Sequence, residues 1–486
     1  MNGKFSKMVK LFSGKDTRQL LLNGKWGLEK EAIRVKGNGD LSLTPHPEIT
    51  GEKIANPHVT TDFSESQMEF ITPAFNSIEQ TFSFLETIKD EVDKVISSEL
   101  LWPHSMPGPL PDDELIPIAR FGDTNDGKIK EIYRSGLALR YGKKVQMVSG
   151  IHYNFSFQDE FWEKLFKKFD IENGKQIFKN ETYVSLVRNV LRYRWLLIYL
   201  FGASPVADES YYSVIKQKGS NCTAGNFSAC TQKATSLRMS RFGYDNSSQN
   251  MFSVSYNSLD EYIRDIKSIL STKNDAYSKM GIYKDGKQIQ LNANQIQLEN
   301  EFYSPVRFKQ IPYNGETQIQ ALENRGIDYL ELRTFDLNPF EKNGISLEQL
   351  YFTQIFMLFC LFESSNYFTN HEVETMNLNA HKTALMGRTE GLMLNGKNNK
   401  LIPLQKWGSE IIDKLRVVAR LLDNSIGNTM YEDSVESQYN KILNSDLLPS
   451  SQMIEEMKNK NETYLNFNLR MARENRSQRL SDHINR

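Results

Sequence analysis

Cysteine is scarce: Cys222, Cys230 and Cys360 are the only three among 486 residues. An odd number without paired short spacings excludes a disulfide framework and a thiolate zinc site. Neither charge dominates, with 59 Lys+Arg against 60 Asp+Glu and a formal net charge of −1. That balance excludes a dedicated nucleic-acid binder, which carries a basic excess. Aromatics are not interleaved with basic runs as on a single-strand platform. No apolar run is long. The longest, residues 350–362, contains Thr353 and Gln354 and falls short of the ~20 residues of a membrane span. Residues 1–19 mix Lys and Asp with Leu and lack an apolar signal core. The chain is therefore expected in the cytoplasm, with no membrane partner. Signature loops are missing too. No Gly-Lys pair is followed by Ser or Thr as in a P-loop, and neither the Rossmann glycine fingerprint nor H-E-x-x-H occurs.

What is abundant is ring surface: 28 Phe, 21 Tyr and 5 Trp, enough for a sizeable core. Strand-like and helix-like segments alternate along the whole length without a long linker, which predicts an α+β fold. Strands are expected at 26–35 and 40–44, around the turn Lys36-Gly37-Asn38-Gly39, and at 67–72, 145–157, 288–298 and 329–337. Helices are expected after Ser77 with Gln80 and after Ser258 with Glu261, both capping-box spacings. Further helices are expected at 183–201, 347–362 and 405–422. Every candidate boundary is crossed by another core-like segment, so residues 1–440 are expected to form a single domain. Beyond about Tyr439 the chain becomes Lys-, Asn- and Glu-rich, and 441–486 is expected as a peripheral helical extension.

Strand side chains alternate faces, so residues two apart lie about 6.5–7 Å apart on one face. Glu29 and Glu31 therefore share a face, with Lys30 and Arg34 on the other. In 148–157, Ile151, Tyr153, Phe155 and Phe157 form an apolar face, while Gly150, His152, Asn154 and Ser156 form a polar one. Glu331 and Arg333 again share a face, and Asp62 precedes a strand that carries Glu69. Each pattern alone also fits a solvated sheet face or a plain salt bridge. Together they offer several carboxylates, one His and one Arg to a single sheet face. Hard divalent cations want such oxygen ligands, shared with substrate phosphates, and an Arg beside them suits a transferring phosphoryl group.

Several blocks, in order and at similar spacing, resemble bacterial glutamate–cysteine ligase. They include Gly27-Leu28-Glu29-Lys30-Glu31, Thr60-Thr61-Asp62-Phe63-Ser64-Glu65 with Glu69-Phe70-Ile71-Thr72-Pro73, and Trp102-Pro103-His104-Ser105-Met106-Pro107. Tyr133-Arg134-Ser135-Gly136, Ser149-Gly150-Ile151-His152-Tyr153-Asn154 and Ala234-Thr235-Ser236-Leu237-Arg238 continue the likeness. Glu299-Asn300-Glu301-Phe302-Tyr303 and Tyr329-Leu330-Glu331-Leu332-Arg333 complete it, over roughly residues 17–424. The resemblance implies a curved, mostly antiparallel sheet forming a funnel wrapped by helices, similar to the glutamine synthetase catalytic core. It implies ATP-dependent joining of the L-glutamate γ-carboxylate to the amine of L-cysteine through γ-glutamyl phosphate, the first step of glutathione synthesis.

By the same resemblance, Glu29, Glu31, Asp62, Glu69, His152 and Glu331 would hold Mg²⁺, or Mn²⁺ in its place, around the ATP phosphates. Arg333 would touch the transferred phosphoryl group. Tyr133, Arg134, Gln146, Arg238, Tyr244 and Tyr303 would shape the amino-acid pockets. The weakly matched segment 211–232 holds Cys222 and Cys230, expected as bystanders because the family chemistry uses a phosphorylated substrate. A monomer is expected. Three rival readings remain at this point: a ligase using another amine, a catalytically inactive nucleotide sensor, and a metal-dependent hydrolase.

Overall fold

The computed structural model describes residues 3–96, 98–169, 174–219, 232–243 and 252–484. Its centre is a seven-stranded sheet in the order β2-β3-β1-β5-β9-β8, with β4 paired to the far end of β1. These strands are β1 (Gly24–Lys36), β2 (Val59–Thr61), β3 (Gln67–Ile71), β4 (Glu99–Leu101), β5 (Ile151–Phe157), β8 (Val306–Lys309) and β9 (Tyr329–Phe335). Between β5 and β8 lies a separate hairpin of β6 (Tyr283–Lys284) and β7 (Lys287–Gln288). Every pairing in the sheet is antiparallel.

Alternation decides which face is buried. Trp26, Leu28 and Ala32 of β1 point to the same side as Met68 and Phe70, Tyr153 and Phe155, Leu330 and Leu332, and Val306 and Phe308. All are buried in one core. The opposite face carries Glu29, Glu31, Glu69, His152 and Glu331, so shifting any strand by one residue would exchange its polar set with the core.

The core is completed by helices. Those used below are α1 (Ile78–Val95), α2 (Asn125–Tyr141), α3 (Lys175–Phe201) and α4 (Leu347–Phe362), followed by α5 (Pro449–Asn459) and α6 (Tyr464–Ile484). In α4 every residue from Gln349 to Phe362 is buried. That suits a helix apolar on all sides in the middle of a domain. Ser77, Ser258 and Ser346 each cap the helix they precede, accepting the backbone N–H three residues on.

Three expected strands differ. Residues 40–44 contribute only a Val35–Leu41 bridge. Instead the Arg34 guanidinium donates to the carbonyls of Thr44 at 2.7 Å and Pro45 at 3.0 Å, which tethers this segment out of ladder reach. The strand expected at 145–157 begins only at Ile151. Lys143–Gln146 is a helical turn, and the Ser149 N–H donates to the Ser105 carbonyl at 2.9 Å rather than to a neighbouring strand. Of residues 288–298 only Gln288 is in a strand. Scattered partners replace the ladder there: the Leu291 N–H donates to Gln297 Oε1, the Gln295 N–H donates to the Thr272 carbonyl, and the Ala293 carbonyl accepts the Asn274 N–H.

The tail beyond residue 440 packs its inner side closely. Met453 of α5 and Tyr464, Phe467, Leu469, Met471 and Ala472 of α6 join a second buried cluster with Trp102, Met106 and Ile33. Beneath α6, the fully buried His104 has its pKa lowered to about 4 by burial. Burial and the neighbouring Lys53 and Arg34 charges lower His46 to about 4 as well. An unfolded histidine protonates near pH 6.5, so between pH 6.5 and 4 the unfolded chain binds protons that these residues refuse. Stability should fall across that window, by about 3 kcal/mol through His104 alone. Denaturant titrations of the protein and of His104→Gln at pH 7 and 4.5 test this. An identical pH slope in both would remove His104 as a cause.

Candidate active site

Register alone assembles the site. Glu31 of β1 pairs with Glu69 of β3, and Glu29 with His152 of β5; Asn154 pairs with Glu331 of β9, and Glu331 with Arg307 of β8. Directly opposed residues share a face. One row therefore runs across five strands, with the carboxylates at one end and the cations at the other. A register irregularity between Ile151 and Tyr153 falls at His152 itself.

At the cation end, Glu331 is surrounded. Its Oε2 lies 3.0 Å from Lys309 Nζ, and its Oε1 accepts a hydrogen bond from Arg333 Nη1 and lies 3.8 Å from Arg307 Nη1. Burial works against its charge, but Lys309, Arg333 and Arg307 outweigh that and hold the carboxyl well below its ordinary range. The Nε atoms of Arg307 and Arg333 are buried with no hydrogen-bond partner among the described residues. Three cations for one carboxylate leave this wall net positive.

The carboxylate end is the reverse. Burial, then the Asp62 charge, push Glu31 up to about 8 despite Arg238 and Arg333. Burial together with Asp62, Glu29 and Glu31 raises Glu69 well above its usual value. Glu29 is pushed up by burial and by Glu331, but the hydrogen bond from His152 and the Lys309 charge outweigh them and leave it lowered.

His152 is kept neutral by burial and by Arg333. Its Nδ1 lies 3.0 Å from Glu29 Oε2. With the proton on Nδ1, the Nε2 lone pair is buried, has no hydrogen-bond partner among the described residues and lies 3.8 Å from Glu31 Oε1. Glu29, His152 and Glu331 bring one ligand atom each within 4.8 Å of one another. A buried lone pair among carboxylates that repel one another fits a divalent cation.

The other expected residues separate into two groups. Tyr133, Gln146 and Tyr303 line one cavity of about 80 Å³ together with Arg307 and Arg333. Arg238 lies beside it, with Nη2 donating to the Arg333 carbonyl at 3.0 Å and Nη1 at 3.8 Å from Asp336. Arg134 is placed differently. Its Nε donates to the Asp62 carbonyl, Nη1 donates to the Lys130 carbonyl at 3.1 Å, and its guanidinium stacks on Phe121 at 4.4 Å. Those bonds hold the Asp62 turn in place, and Arg134 is absent from the cavity wall. Tyr244 lies outside the described residues, as do Cys222 and Cys230.

Sequence reasoning did not single out Lys309 or Arg307. Alternation along Val306-Arg307-Phe308-Lys309 carried the signal, but four residues make a weak period. A roomier cleft of about 900 Å³ is lined by His46, Lys53, Glu65 and Glu131 among others and has none of the expected site residues in its wall.

The family profile described as glutamate-cysteine ligase matches residues 9–383. A Clostridium acetobutylicum protein named glutamate–cysteine ligase is 50% identical over 479 residues, 97% of this chain and 100% of its own length. A Pseudomonas syringae protein of the same name is 40% identical, covering 96% of this chain and 87% of its own. Among solved structures, glutamate–cysteine ligase from Francisella tularensis in complex with AMP superposes with a TM-score of 0.86 at 32% identity. That likeness covers 94% of this chain and 89% of that one. A profile across most of the chain, near full-length relatives and the shared antiparallel fold agree: the chain belongs to the glutamate–cysteine ligase family.

Proposed function

We propose that the charged row is the catalytic face, with the nucleotide phosphates lying between its cation wall and its carboxylate wall. The enzyme is an ATP-dependent ligase that forms γ-glutamylcysteine, the first step of glutathione synthesis. The observation that carries our reading of the site is the opposition of the Arg307–Lys309–Arg333 wall to the Glu29–Glu31–Asp62–Glu69 wall across His152 and Glu331. A polyanion with bound divalent cations complements both walls at once.

Glu29, Glu31, Asp62, Glu69, His152 and Glu331 would hold Mg²⁺, or Mn²⁺. Bound there, the metal would neutralise phosphate charge and draw phosphate oxygens against the carboxylates. On the other side, Arg333 and Lys309 are placed to hold the transferring phosphoryl oxygens. Phosphoryl transfer to the glutamate side chain makes an acyl phosphate. The cysteine amine then adds to that carbonyl carbon, forming the C–N bond and giving up a proton, while the acyl C–O bond breaks and inorganic phosphate leaves with its electron pair. Tyr133, Gln146, Arg238 and Tyr303 would orient the two amino acids, so that the amine reaches the acyl carbon before water does.

We read the functional unit as a monomer. Residues 1–440 would form the catalytic unit, with 441–486 as its extension. No helix of the described residues is long and apolar enough to cross a membrane. ATP dependence and the sparse cysteines support a cytoplasmic setting.

Release of ADP should require glutamate and rise strongly on adding L-cysteine or 2-aminobutyrate. Turnover that is equal without any amine would turn the reading into a hydrolase. A second prediction concerns the pocket wall. A Cβ built on Gly150 comes within 2.0 Å of Arg238 Nη2 and 2.3 Å of its Cζ, so Gly150→Ala must displace that guanidinium. Misplacing an orienting group by an ångström is costly. The variant should raise an amino-acid KM at least about 10-fold with ATP KM little changed. Steady-state kinetics with each substrate varied in turn would reveal an ATP-selective effect, which would place Arg238 elsewhere.

A further inference from the structure

The route from the C-terminal helix to the catalytic face is short and fully buried. Tyr464, in the first turn of α6, packs edge-on against Trp102 and His104, with ring centroids 5.8 and 5.3 Å away. Its hydroxyl lies 2.7 Å from both His104 Nδ1 and the Met106 carbonyl. The same carbonyl accepts from Trp102 Nε1 at 2.9 Å, and the Met106 N–H donates to His104 Nδ1 at 3.2 Å. Five atoms thus tie the 102–106 turn into one shape, and Ser105 occupies its fully buried tip.

Ser105 grips two strand ends at once. Its carbonyl accepts the Ser149 N–H at 2.9 Å, and its hydroxyl accepts the Leu337 N–H at 2.7 Å. The residue after Ser149 is Gly150, whose N–H donates to Glu31 Oε2 at 2.8 Å and whose carbonyl accepts the Glu31 N–H at 3.0 Å. Ser149 Oγ also accepts from Gln67, two residues before Glu69, at 3.2 Å. Leu337 follows the β9 strand that carries Glu331 and Arg333. Ser105 therefore locks the edge where the carboxylate wall meets β5 to the end of the strand that supplies the cation wall.

We propose that α6 is a brace for the catalytic face and that Tyr464 is a positioning residue, acting through the 102–106 turn and Ser105 on the spacing of the two walls. This rests on the ligase reading, which wild-type turnover tests separately. Phosphoryl transfer is sensitive to such spacing because positioning supplies most of its catalysis. Further bonds seat the same helix: Asn475 Nδ2 donates to the Pro339 carbonyl at 2.9 Å, and Arg476 donates to the carbonyls of Glu99 and Asp93 at 3.0 and 2.7 Å.

Two conservative variants test the route, each removing one oxygen and no packing volume beyond it: Tyr464→Phe and Ser105→Ala. Each should lower kcat about 3–10-fold, the rate equivalent of one buried hydrogen bond, with all three KM values within about twofold because neither side chain touches substrate. The double variant should be no more than about twofold slower than the slower single one, since both cut the same route. Glu462→Gln is the control. It loosens α6 from outside by replacing one of the two carboxylate oxygens that accept from Arg470 at 2.9 and 2.8 Å with an amide NH₂ and removing the charge of the pair, at a residue with no hydrogen bond to His104 among the described residues. It should lower Tm while leaving kcat unchanged. An unchanged kcat in Tyr464→Phe, a multiplicative double variant, or an equal kcat loss in Glu462→Gln would each overturn the brace.

Discussion

Arg333→Lys should lower turnover about 10²–10³-fold, the loss seen on deleting one preorganised transition-state donor. Arg333 reaches the same face as Glu331, lines the small cavity beside Tyr303 and keeps Nε buried without a hydrogen-bond partner among the described residues. Its planar fork can hold two oxygens of a phosphoryl group whose charge spreads in the transition state; a lysine ammonium is a point charge without that geometry. Glutamate and cysteine KM should change little, because the missing bond belongs to the transition state. The bland alternative is written into the same geometry. Arg333 Nη1 donates to Glu331 Oε1, and an arginine that only steadies that carboxylate could be replaced by lysine with a small stability change. Lys309 and Arg307 already crowd Glu331, so a third cation for stability alone is hard to justify. Near-normal turnover in the lysine variant would leave Arg333 a structural partner.

Glu31→Gln should be no less stable than the wild-type chain without metal and less stable than it with metal bound. Glu31 is 3% exposed, and burial and the nearby Asp62 charge work against its ionised form. Without a cation the amide should be tolerated at least as well as the acid, because it relieves buried like-charge repulsion and its oxygen can still accept the Gly150 N–H. With ATP and Mg²⁺ present the order should reverse. The wild-type chain gains about 2.7 kcal/mol at a hundredfold excess over the dissociation constant, and the variant should lose most of that gain. Turnover should fall at least about 10²-fold, the scale of a lost electrostatic contact in phosphoryl transfer. Thermal melts with ATP, with and without Mg²⁺, read this directly. Identical midpoints for the wild-type chain in both conditions would count heavily against a metal at this face.

Much of this architecture was legible in residue order because it is local. Period-two alternation in 148–157 identified the apolar face of β5. Serines preceding an apolar stripe marked the starts of helices, and the strongly apolar stretch 347–362 marked the central one. The shared face of Glu29 and Glu31, and of Glu331 and Arg333, follows from strand geometry alone. What residue order could not carry was non-local. A segment such as 288–298 alternates like a strand, yet its backbone partners are scattered: the Leu291 N–H donates to Gln297 Oε1 and the Gln295 N–H to the Thr272 carbonyl, which no period encodes.

The site divides in the same way. The sequence by itself determined the ingredients: which carboxylates, histidine and arginine lie on polar strand faces, and through resemblance the reaction they serve. Only the tertiary structure decided their partners. Register set Glu31 against Glu69 and Glu331 against Arg307, which separated the face into a positive and a negative wall. It turned Arg134 onto the Asp62 backbone and brought Tyr464 against His104, 360 residues away in the chain. The physical reason is that charge and hydrogen bonding act through space. Burial raises Glu31, and three cations lower Glu331, so two glutamates of one residue type acquire opposite characters that neither neighbouring sequence contains.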